Sequence, residues 1–447
     1  MRDILITAIV LGVLPFVFRH AWIGVLLWTW LSIMNPHKLA FGFAHNAPFA
    51  ALAGAATLIA LVTGKDKLRL PHNGIVWALI LFLLWMGVTT VFAIDRGESA
   101  TQLEKVLKIQ LMTLVALAVL HERLHIQLFV WVNALSVAFY GFKGGLFTIK
   151  SGGGERVWGP PGGFIEGNNE LGLAMLMVIP LLFYLYVTTE HKWIRRGLLL
   201  TMLLSAVAVL GTQSRGALLA IMAMGGMLWL RSPVNKFASG IGIVLVGSLL
   251  FTFMPESWHE RMGTIRTYEQ DGSAMGRINA WETAINIAND RPTGAGFDAY
   301  TPFIFGIYAP NPVEERAADP NHARASHSIY FQVLGEHGWV GLFLFLTIWW
   351  LMWREAGRLR IQARRAPEFL WVFHLASMCQ VALIGYVVGG AFLSLAYFDL
   401  PYNVMVVVVV MRRWLDLQLA DGRTPVRKQA AGRSALGQSE STTGVKS

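Results

Sequence analysis

A succession of apolar stretches runs along the whole chain and constrains its fold more than any other feature. A helix that crosses a bilayer needs about 20 apolar residues, because each residue adds about 1.5 Å across a hydrocarbon core about 30 Å thick. Several stretches are short, and the first two can form one crossing. The sequence therefore predicts an all-α polytopic membrane protein with about twelve transmembrane helices. The stretches are residues 4–18, 21–34, 47–64, 74–93, 105–120, 126–143, 169–188, 197–211, 214–230, 237–254, 327–353, 369–390 and roughly 391–411.

The composition agrees with a membrane location. Hydrophobic residues make up 55% of the 447-residue chain and charged residues only 14%, which is more apolar than a soluble domain of ordinary usage. Lys and Arg outnumber Asp and Glu by 37 to 27, but they cluster in short links between apolar stretches. That distribution indicates contact with anionic membrane lipid and no nucleic-acid binding. The single cysteine, Cys379, lies in an apolar stretch, which excludes a disulfide framework and a thiolate metal site.

The basic links predict the orientation of the chain, since short loops rich in Lys and Arg face the cytoplasm. These links are Lys65–Arg69, His191–Arg196, Arg231–Lys236 and Arg354–Arg365. The loops between them then alternate to the outer face. By this parity Arg215, the glycine-rich loop 152–168 and the polar stretch 255–326 share the outer face. They can therefore contribute to one site.

Four regions follow from this pattern. Transmembrane helices occupy residues 1–254, and a periplasmic loop domain occupies 255–326. Further transmembrane helices occupy 327–411, and a disordered cytoplasmic tail follows over 412–447. The glycine-rich loop lacks the Lys-Ser/Thr of a nucleotide cradle, so we expect a flexible outer loop.

The periplasmic loop domain is expected to contain an amphipathic helix over residues of about 274–289. Its apolar face is formed by Ile278, Trp281, Ile285 and Ala288. Arg277 and Ala284 point away from that face. Pro292 and the run Gly294-Ala295-Gly296 end the helix.

Arginines on the shared outer face are candidates for anion binding. Arg215 lies in a sharp turn between two apolar stretches, where it either anchors a helix at the interface or binds phosphate through its fork of donors. Arg277 is the second candidate, and Arg266 ranks below it; a solvated charged face is the alternative for both. The stretch 255–326 contains arginine but no lysine, which suits bidentate anion recognition.

His327 is the candidate general base, because an unperturbed imidazole titrates near pH 6.5. A structural hydrogen-bonding role is the alternative. On an ideal helix, residue 327 shares a face with positions 334, 338 and 341, so we expect a histidine at the outer lip above a glycine stripe. The stripe leaves room for a lipid chain or a close helix. His337 is the competing base, but it lies about 80° away and deeper in the span.

Together these features resemble the O-antigen ligase and polymerase superfamily of bacterial envelopes, and most closely its O-antigen ligases of the WaaL type. The most specific feature is His327-Ser328, followed after nine residues by Gly338 and then by Gly341. The other features are Thr212-Gln213-Ser214-Arg215, Gly276-Arg277 with Trp281, and Gly294-Ala295-Gly296-Phe297. The resemblance covers about 160–345 in motif and the whole chain in hydropathy.

The resemblance implies a fold similar to the C-type glycosyltransferases and an activity on the periplasmic side of the bacterial inner membrane. A glycan would pass from an undecaprenyl diphosphate carrier to a sugar hydroxyl of lipid A–core, with inversion and without a metal or nucleotide cofactor. His327 would then act as the base, and Arg215 and Arg277, with Arg266 ranked lower, would bind the diphosphate. The chain has no Asp-x-Asp motif and no P-loop, which agrees with these expectations.

Other functions stay open at this point. Within the superfamily, an O-antigen polymerase or a protein O-oligosaccharyltransferase would use the same arginines and loop histidine. Outside it, the alternative is a lipid or glycan transporter. Transporters usually carry ionisable residues near the middle of the membrane, whereas the apolar stretches here are nearly free of charge. That distribution favours an interfacial enzyme.

Overall fold

The structure, a computed structural model, describes residues 1–64, 66, 68–231, 236–256, 258–259, 272–310, 325–364 and 366–420. Within these ranges it contains fifteen α-helices and no β-strand. The helices are α1 (Arg2–Val17), α2 (Ala21–Met34), α3 (Phe49–Thr63), α4 (Gly74–Val91), α5 (Arg96–Val119), α6 (Arg123–Lys150), α7 (Asn168–Thr188), α8 (Lys192–Gly211), α9 (Arg215–Arg231), α10 (Lys236–Phe253), α11 (Gly272–Asp290), α12 (Pro302–Tyr308), α13 (Ile329–Ala363), α14 (Leu370–Gly389) and α15 (Asp399–Ala420).

Six helices in the described ranges are long and apolar enough to cross a membrane. They are α4, α6, α7, α8, α13 and α14 with its flanking turns, and the shorter α2 and α3 are also apolar. The predicted all-α architecture of a multi-pass membrane protein is therefore confirmed at this level. The count of about twelve crossings and the likeness to the C-type glycosyltransferases stay predictions.

The interior of the bundle is formed around α7 and α15. α7 packs against α8 and α14, and every side chain from Leu171 to Val178 is buried. α15 contributes the buried valines of the run Val406–Val410 and packs against α5, α6 and α13. Because α7 is central, its first turn at Asn168 has a fixed position beside the turn that joins α8 to α9.

The start of α13 differs from the prediction. The helix begins at Ile329, not at residue 327, and its backbone leaves helical geometry at Gly338, where φ is 66° and ψ is −171°. The expected alignment of residues 327, 334, 338 and 341 on one helical face is therefore wrong, because His327 precedes the helix and Gly338 interrupts it. A glycine is needed at 338, since side chains rarely adopt this left-handed conformation.

Two other boundaries also move. The predicted stretch at about 391–411 begins as a short 3₁₀ turn, Gly390–Phe392, and becomes the helix α15 only at Asp399. That helix continues past residue 411 to Ala420. The part of the predicted tail over 421–447 lies outside the described residues.

The amphipathic helix expected at about 274–289 is present as α11, but its packed face is not the predicted one. The side chains of Ala280, Thr283, Ala284 and Ile287 are fully buried, whereas Trp281 is only partly buried. Ala284 therefore points inward. Small residues on this face allow α11 to approach α13 closely, and the Ala284 Cβ lies 3.5 Å from the Cβ position that a side chain at Gly335 would occupy.

Candidate active site

Arg215 begins α9 directly after a tight turn. The turn uses a left-handed residue, Gln213, with a φ of 53°. Ser214 caps the helix, since its hydroxyl accepts the backbone N–H of Ala217 at 3.3 Å. The first N–H groups of a helix have no intrahelical partner and carry partial positive charge. Arg215 thus adds a guanidinium to a helix end that already favours anions.

The glycine-rich loop after α6 is tied to the same turn. The Gln213 side-chain amide donates to the Gly153 carbonyl at 3.2 Å, and its oxygen accepts from Arg156 Nε at 3.3 Å. At the start of α7, the Asn168 amide donates to the Thr212 carbonyl at 2.7 Å. We expected a flexible loop, but these bonds hold it against the Arg215 turn. They also place Arg156 beside that turn, which the sequence did not indicate because the contact joins distant segments.

His327 lies in an irregular turn just before α13. Its φ is 44°, a left-handed value that is uncommon outside glycine. The flanking Ser326 and Ser328 are buried, and the His327 N–H donates to the Ser394 hydroxyl at 3.0 Å. The turn is also fixed by Trp281, whose indole N–H donates to the Ser326 carbonyl at 2.8 Å. These contacts hold the backbone of the His327 turn in a defined position before α13.

The ring of Trp281 is itself held in place. It stacks on Phe331 of α13, with ring centroids 4.9 Å apart and an interplanar angle of 11°. The sequence singled out Trp281 as part of an apolar helix face and as part of the superfamily motif. In the structure it connects α11 to the His327 turn, so it positions that turn.

Arg277, on α11, interacts electrostatically with His327 and with Glu170 in the first turn of α7. Burial, and after it the positive charge of Arg277, lower the pKa of His327 below its usual 6.5. A lowered pKa keeps the imidazole neutral, and therefore able to accept a proton, at neutral pH. The predicted base and the second predicted arginine thus lie in one electrostatic environment.

The segment from Gly389 to Ser394 contacts both halves of this region. On one side, a Cβ at Gly216, the residue after Arg215, would lie 3.2 Å from Phe392 Cβ. On the other side, Ser394 bonds the His327 turn. Arg215 and His327 therefore flank the same connecting segment. In the sequence this segment forms the end of one apolar stretch and the start of the next. The third predicted arginine, Arg266, lies outside the described residues.

The run Gly294-Ala295-Gly296-Phe297 forms backbone hydrogen bonds with α13 just before its kink. The Ala295 and Gly296 N–H groups donate to the carbonyls of Gly335 and Glu336 at 2.9 and 3.0 Å. A Cβ at Gly338 would lie 2.2 Å from the Pro292 carbonyl oxygen. Gly338 therefore permits close approach of a loop backbone, and the expected glycine stripe facing lipid or a helix is replaced by this contact.

A buried carboxyl group joins that loop to the segment before α15. Glu336 is 4% exposed; one of its oxygens accepts the Asp298 N–H at 3.3 Å, and the other accepts the Tyr397 hydroxyl. Its neighbour His337 is fully buried, with Nδ1 2.7 Å from the Thr89 hydroxyl oxygen. Neither Glu336 nor Tyr397 was predicted as a site residue, although an acidic residue inside an apolar stretch is a usable signal of function.

A His-Glu-x-x-His spacing occurs at His121–His125, and on a continuous helix it would place both histidines on one face for zinc. Here α6 begins only at Arg123, and the His125 ring stacks on Trp22 with centroids 4.4 Å apart. Across the described ranges, no group of three or more His, Cys, Asp or Glu side chains is placed to hold a metal ion.

Family models match two parts of the chain. Residues 200–346 match the family model described as O-antigen ligase. The chain carries an O-antigen ligase superfamily domain. Residues 1–192 match a family of unknown function, DUF5935, and no curated protein matches the chain.

The O-antigen ligase domain contains Arg215, Arg277, the Gly294–Phe297 run, His327 and Gly338. The predicted superfamily is therefore confirmed, and with it a glycosyl-transfer type of activity. The narrower assignment to the WaaL type, and the roles of the individual residues, stay predictions. The Asn168 and Glu170 side chains that contact this region lie in the DUF5935 match, so the candidate site draws on both matched segments.

Proposed function

We propose that the protein is an O-antigen ligase. It transfers a glycan from undecaprenyl diphosphate to a sugar hydroxyl of lipid A–core, with inversion at the anomeric carbon and without a metal. The observation that carries this proposal is that the His327 turn and the start of α9 at Arg215 contact the same segment, Gly389–Ser394. The positive charge of Arg277 also acts on His327 and lowers its pKa. Glycosyl transfer from a diphosphate needs a proton acceptor and positive charge close together, and this arrangement supports the proposal.

The proposed reaction needs one proton acceptor and charge stabilisation at the leaving group. His327 takes the proton of the acceptor hydroxyl while the oxygen of that hydroxyl forms a bond to the anomeric carbon. The bond from that carbon to the diphosphate oxygen breaks with its electron pair, and the carrier diphosphate leaves. Arg215, at the N-terminus of α9, and Arg277 stabilise the developing negative charge. Arg266 is proposed as a further diphosphate-binding residue, ranked below Arg215 and Arg277.

The membrane geometry of the proposal comes from the charge pattern of the loops. The basic links assign the Arg215 turn and the stretch 255–326 to the periplasmic face of the inner membrane. A polyprenyl carrier and a lipid-anchored acceptor would both reach such an interfacial site from the bilayer. The position of His327 immediately before α13 supports this, because a base at the end of a long apolar helix lies near the level of lipid head groups.

The test is a reconstituted reaction in detergent containing purified protein, undecaprenyl-diphosphate glycan and lipid A–core, with chelator and without nucleotide. The proposal expects a ladder of glycan on lipid A–core, and no ladder with Arg215→Ala. Arg196→Ala, an exposed arginine on a predicted basic link, is the matched control and should keep activity.

The other functions give different products in the same reaction. Longer glycan still attached to the carrier would identify a polymerase, and glycan on a supplied protein acceptor would identify an O-oligosaccharyltransferase. A transporter would give no covalent product in detergent, and would move labelled carrier across the bilayer in a separate assay with the protein reconstituted into vesicles. Each of these three results would overturn the ligase proposal.

A further inference from the structure

A basic cavity of about 1160 Å³ lies where α4, α13 and α15 meet, at the N-terminus of α4 and the C-terminal parts of the other two helices. Its basic lining is unusual in a chain with so few charges, because five arginines contribute to it. They are Arg69, Arg354, Arg358, Arg412 and Arg413. The remaining polar lining includes Glu355 and Asp416.

The basic cavity lies far from the candidate active site. Beyond the kink at Gly338, from Trp339 to Arg354, α13 advances by 15 residues, which corresponds to about 22 Å along regular helix. The two ends of α4 show the same separation. Thr89, near its C-terminus, contacts His337 beside the kink, whereas Gly74, at its N-terminus, lines the cavity. The two sites are therefore at opposite ends of the same helices. The basic links assign the cavity end to the cytoplasm.

The acidic side chains of the basic cavity are already paired. Arg412 donates to both carboxylate oxygens of Asp416, at 2.9 and 2.6 Å, and lies 3.3 Å from Glu355. Glu355 also pairs with Arg358 at 3.3 Å. Both carboxylates are thus occupied by Arg412 and Arg358.

The other three arginines have no carboxylate within ion-pair distance among the residues that the structure describes. Arg413 donates to the backbone carbonyl of Arg69 at 2.8 Å, and the positive charges of these two residues repel each other. The guanidinium of Arg354 lies over the Trp350 ring, 4.5 Å from its centroid. By composition the segment after Ala420 is itself net positive, with five basic and two acidic residues.

We propose that the basic cavity binds the phosphate head group of an anionic phospholipid. Guanidinium groups match phosphate oxygens in geometry and charge. The cavity also lies where apolar lining from Ile75, Leu351 and Val409 gives way to arginines, which is the level of the phosphate layer around a spanning helix. The apolar part accommodates the glycerol and the first acyl carbons. The site is independent of the glycosyl-transfer proposal.

The test uses the full-length protein in detergent and measures its melting temperature by tryptophan fluorescence. Three additives are titrated in parallel: phosphatidylglycerol, phosphatidylcholine and inorganic phosphate. Phosphatidylglycerol is expected to raise the melting temperature saturably, and the other two are expected to have little effect. The double variant Arg69→Gln/Arg413→Gln should weaken phosphatidylglycerol binding about tenfold or more, because each arginine near an anionic lipid contributes substantially.

The matched control is Arg195→Gln/Arg196→Gln, which removes two exposed arginines from another predicted basic link and should leave binding unchanged. If the double variant does not fold, Arg354→Gln tests the same site, since its described contact is a stack on Trp350. Equal effects of the two phospholipids, or unchanged phosphatidylglycerol affinity in the cavity variants, would overturn the proposal. Equal stabilisation by inorganic phosphate would overturn its assignment to a lipid.

Discussion

At one end of α13, His327 lies in a left-handed turn between two buried serines, whereas at the other end Arg354 and Arg358 project from regular helix into a wide cavity. The first end is fixed by bonds from three different segments, through Trp281, Ser394 and the run after Pro292. The second end is regular helix, and its arginines are held by ion pairs to neighbouring carboxylates and by a bond to the Arg69 carbonyl.

The difference reflects what each end has to do. A base that removes a proton must be held at a defined distance and angle, and the irregular backbone that holds it costs free energy of folding. Attraction of an anionic head group needs only a positive field with adaptable donors. Small backbone changes are therefore expected to impair function near His327, and charge changes are expected to impair lipid binding in the basic cavity.

The largest expected effect in the candidate active site comes from Arg215. Arg215→Gln should lower the turnover number of the reconstituted transfer reaction by about a hundredfold or more, because a lost contact to developing charge costs that much in comparable sites. The melting temperature should stay near the wild-type value, since Ser214 still caps α9. Arg231→Gln, at the opposite end of α9, should keep most of the activity. Equal losses in the two variants would contradict a local role for Arg215.

Gly338 tests whether the kink of α13 requires glycine. Gly338→Ala should destabilise the protein by about 2–4 kcal/mol, because the residue adopts a φ of 66° and its new Cβ would lie 2.2 Å from the Pro292 carbonyl oxygen. Thermal unfolding in detergent measures the loss. Gly357→Ala, on the regular part of the same helix, should cost little, since its nearest neighbour is 3.4 Å away. A Gly338→Ala protein as stable as the wild type would contradict the requirement for glycine at the kink.

Trp281 tests whether the His327 turn needs its indole hydrogen bond. Trp281→Phe keeps an aromatic ring against Phe331 but loses the bond to the Ser326 carbonyl. The value of kcat/KM should fall about two- to tenfold, because one hydrogen bond is worth about 0.5–1.5 kcal/mol. Trp339→Phe loses a similar bond, to the Asn289 side chain, and should leave kcat/KM unchanged. A fall in melting temperature without a change in kcat/KM would reduce Trp281 to a structural role.

Arg277 should affect the pH dependence of the reaction. Its positive charge, after burial, lowers the pKa of His327, so the neutral base persists below pH 6.5 and is lost only as pH falls through the lowered value. Removing the charge in Arg277→Gln should move the acidic limb of kcat/KM to higher pH. Arg277→Lys keeps the charge and should retain the wild-type limb. An acidic limb that stays in place in Arg277→Gln would contradict the electrostatic link.

Much of the fold could be predicted from sequence, because the length and hydropathy of apolar stretches are local properties. The turn before Arg215 and the helix over 274–289 were predicted for the same reason. The packed face of that helix was not, since the large residues Ile278 and Trp281 suggested one face, and the small residues Ala280 and Ala284 form the actual contact. Close approach depends on the partner helix, which the local pattern does not contain.

The connections within the candidate site were also beyond local patterns. The kink at Gly338 looks in sequence like a tolerated glycine in a helix, and its reason is a carbonyl oxygen of the distant Pro292. The break before α15 lies inside an apolar stretch, where the Ala396 N–H donates to the Gln332 side chain at 3.3 Å. Such bonds replace helical ones only after the chain has folded. The identities of the candidate residues were predictable, but their connections were not.

The most direct test of the central claim is the turnover number of His327→Ala in the reconstituted transfer reaction, with donor affinity measured separately. The account predicts a loss of at least a hundredfold, since general base catalysis typically contributes that much, with donor binding and melting temperature close to wild type. Wild-type turnover in His327→Ala would contradict the assignment of His327 as the base.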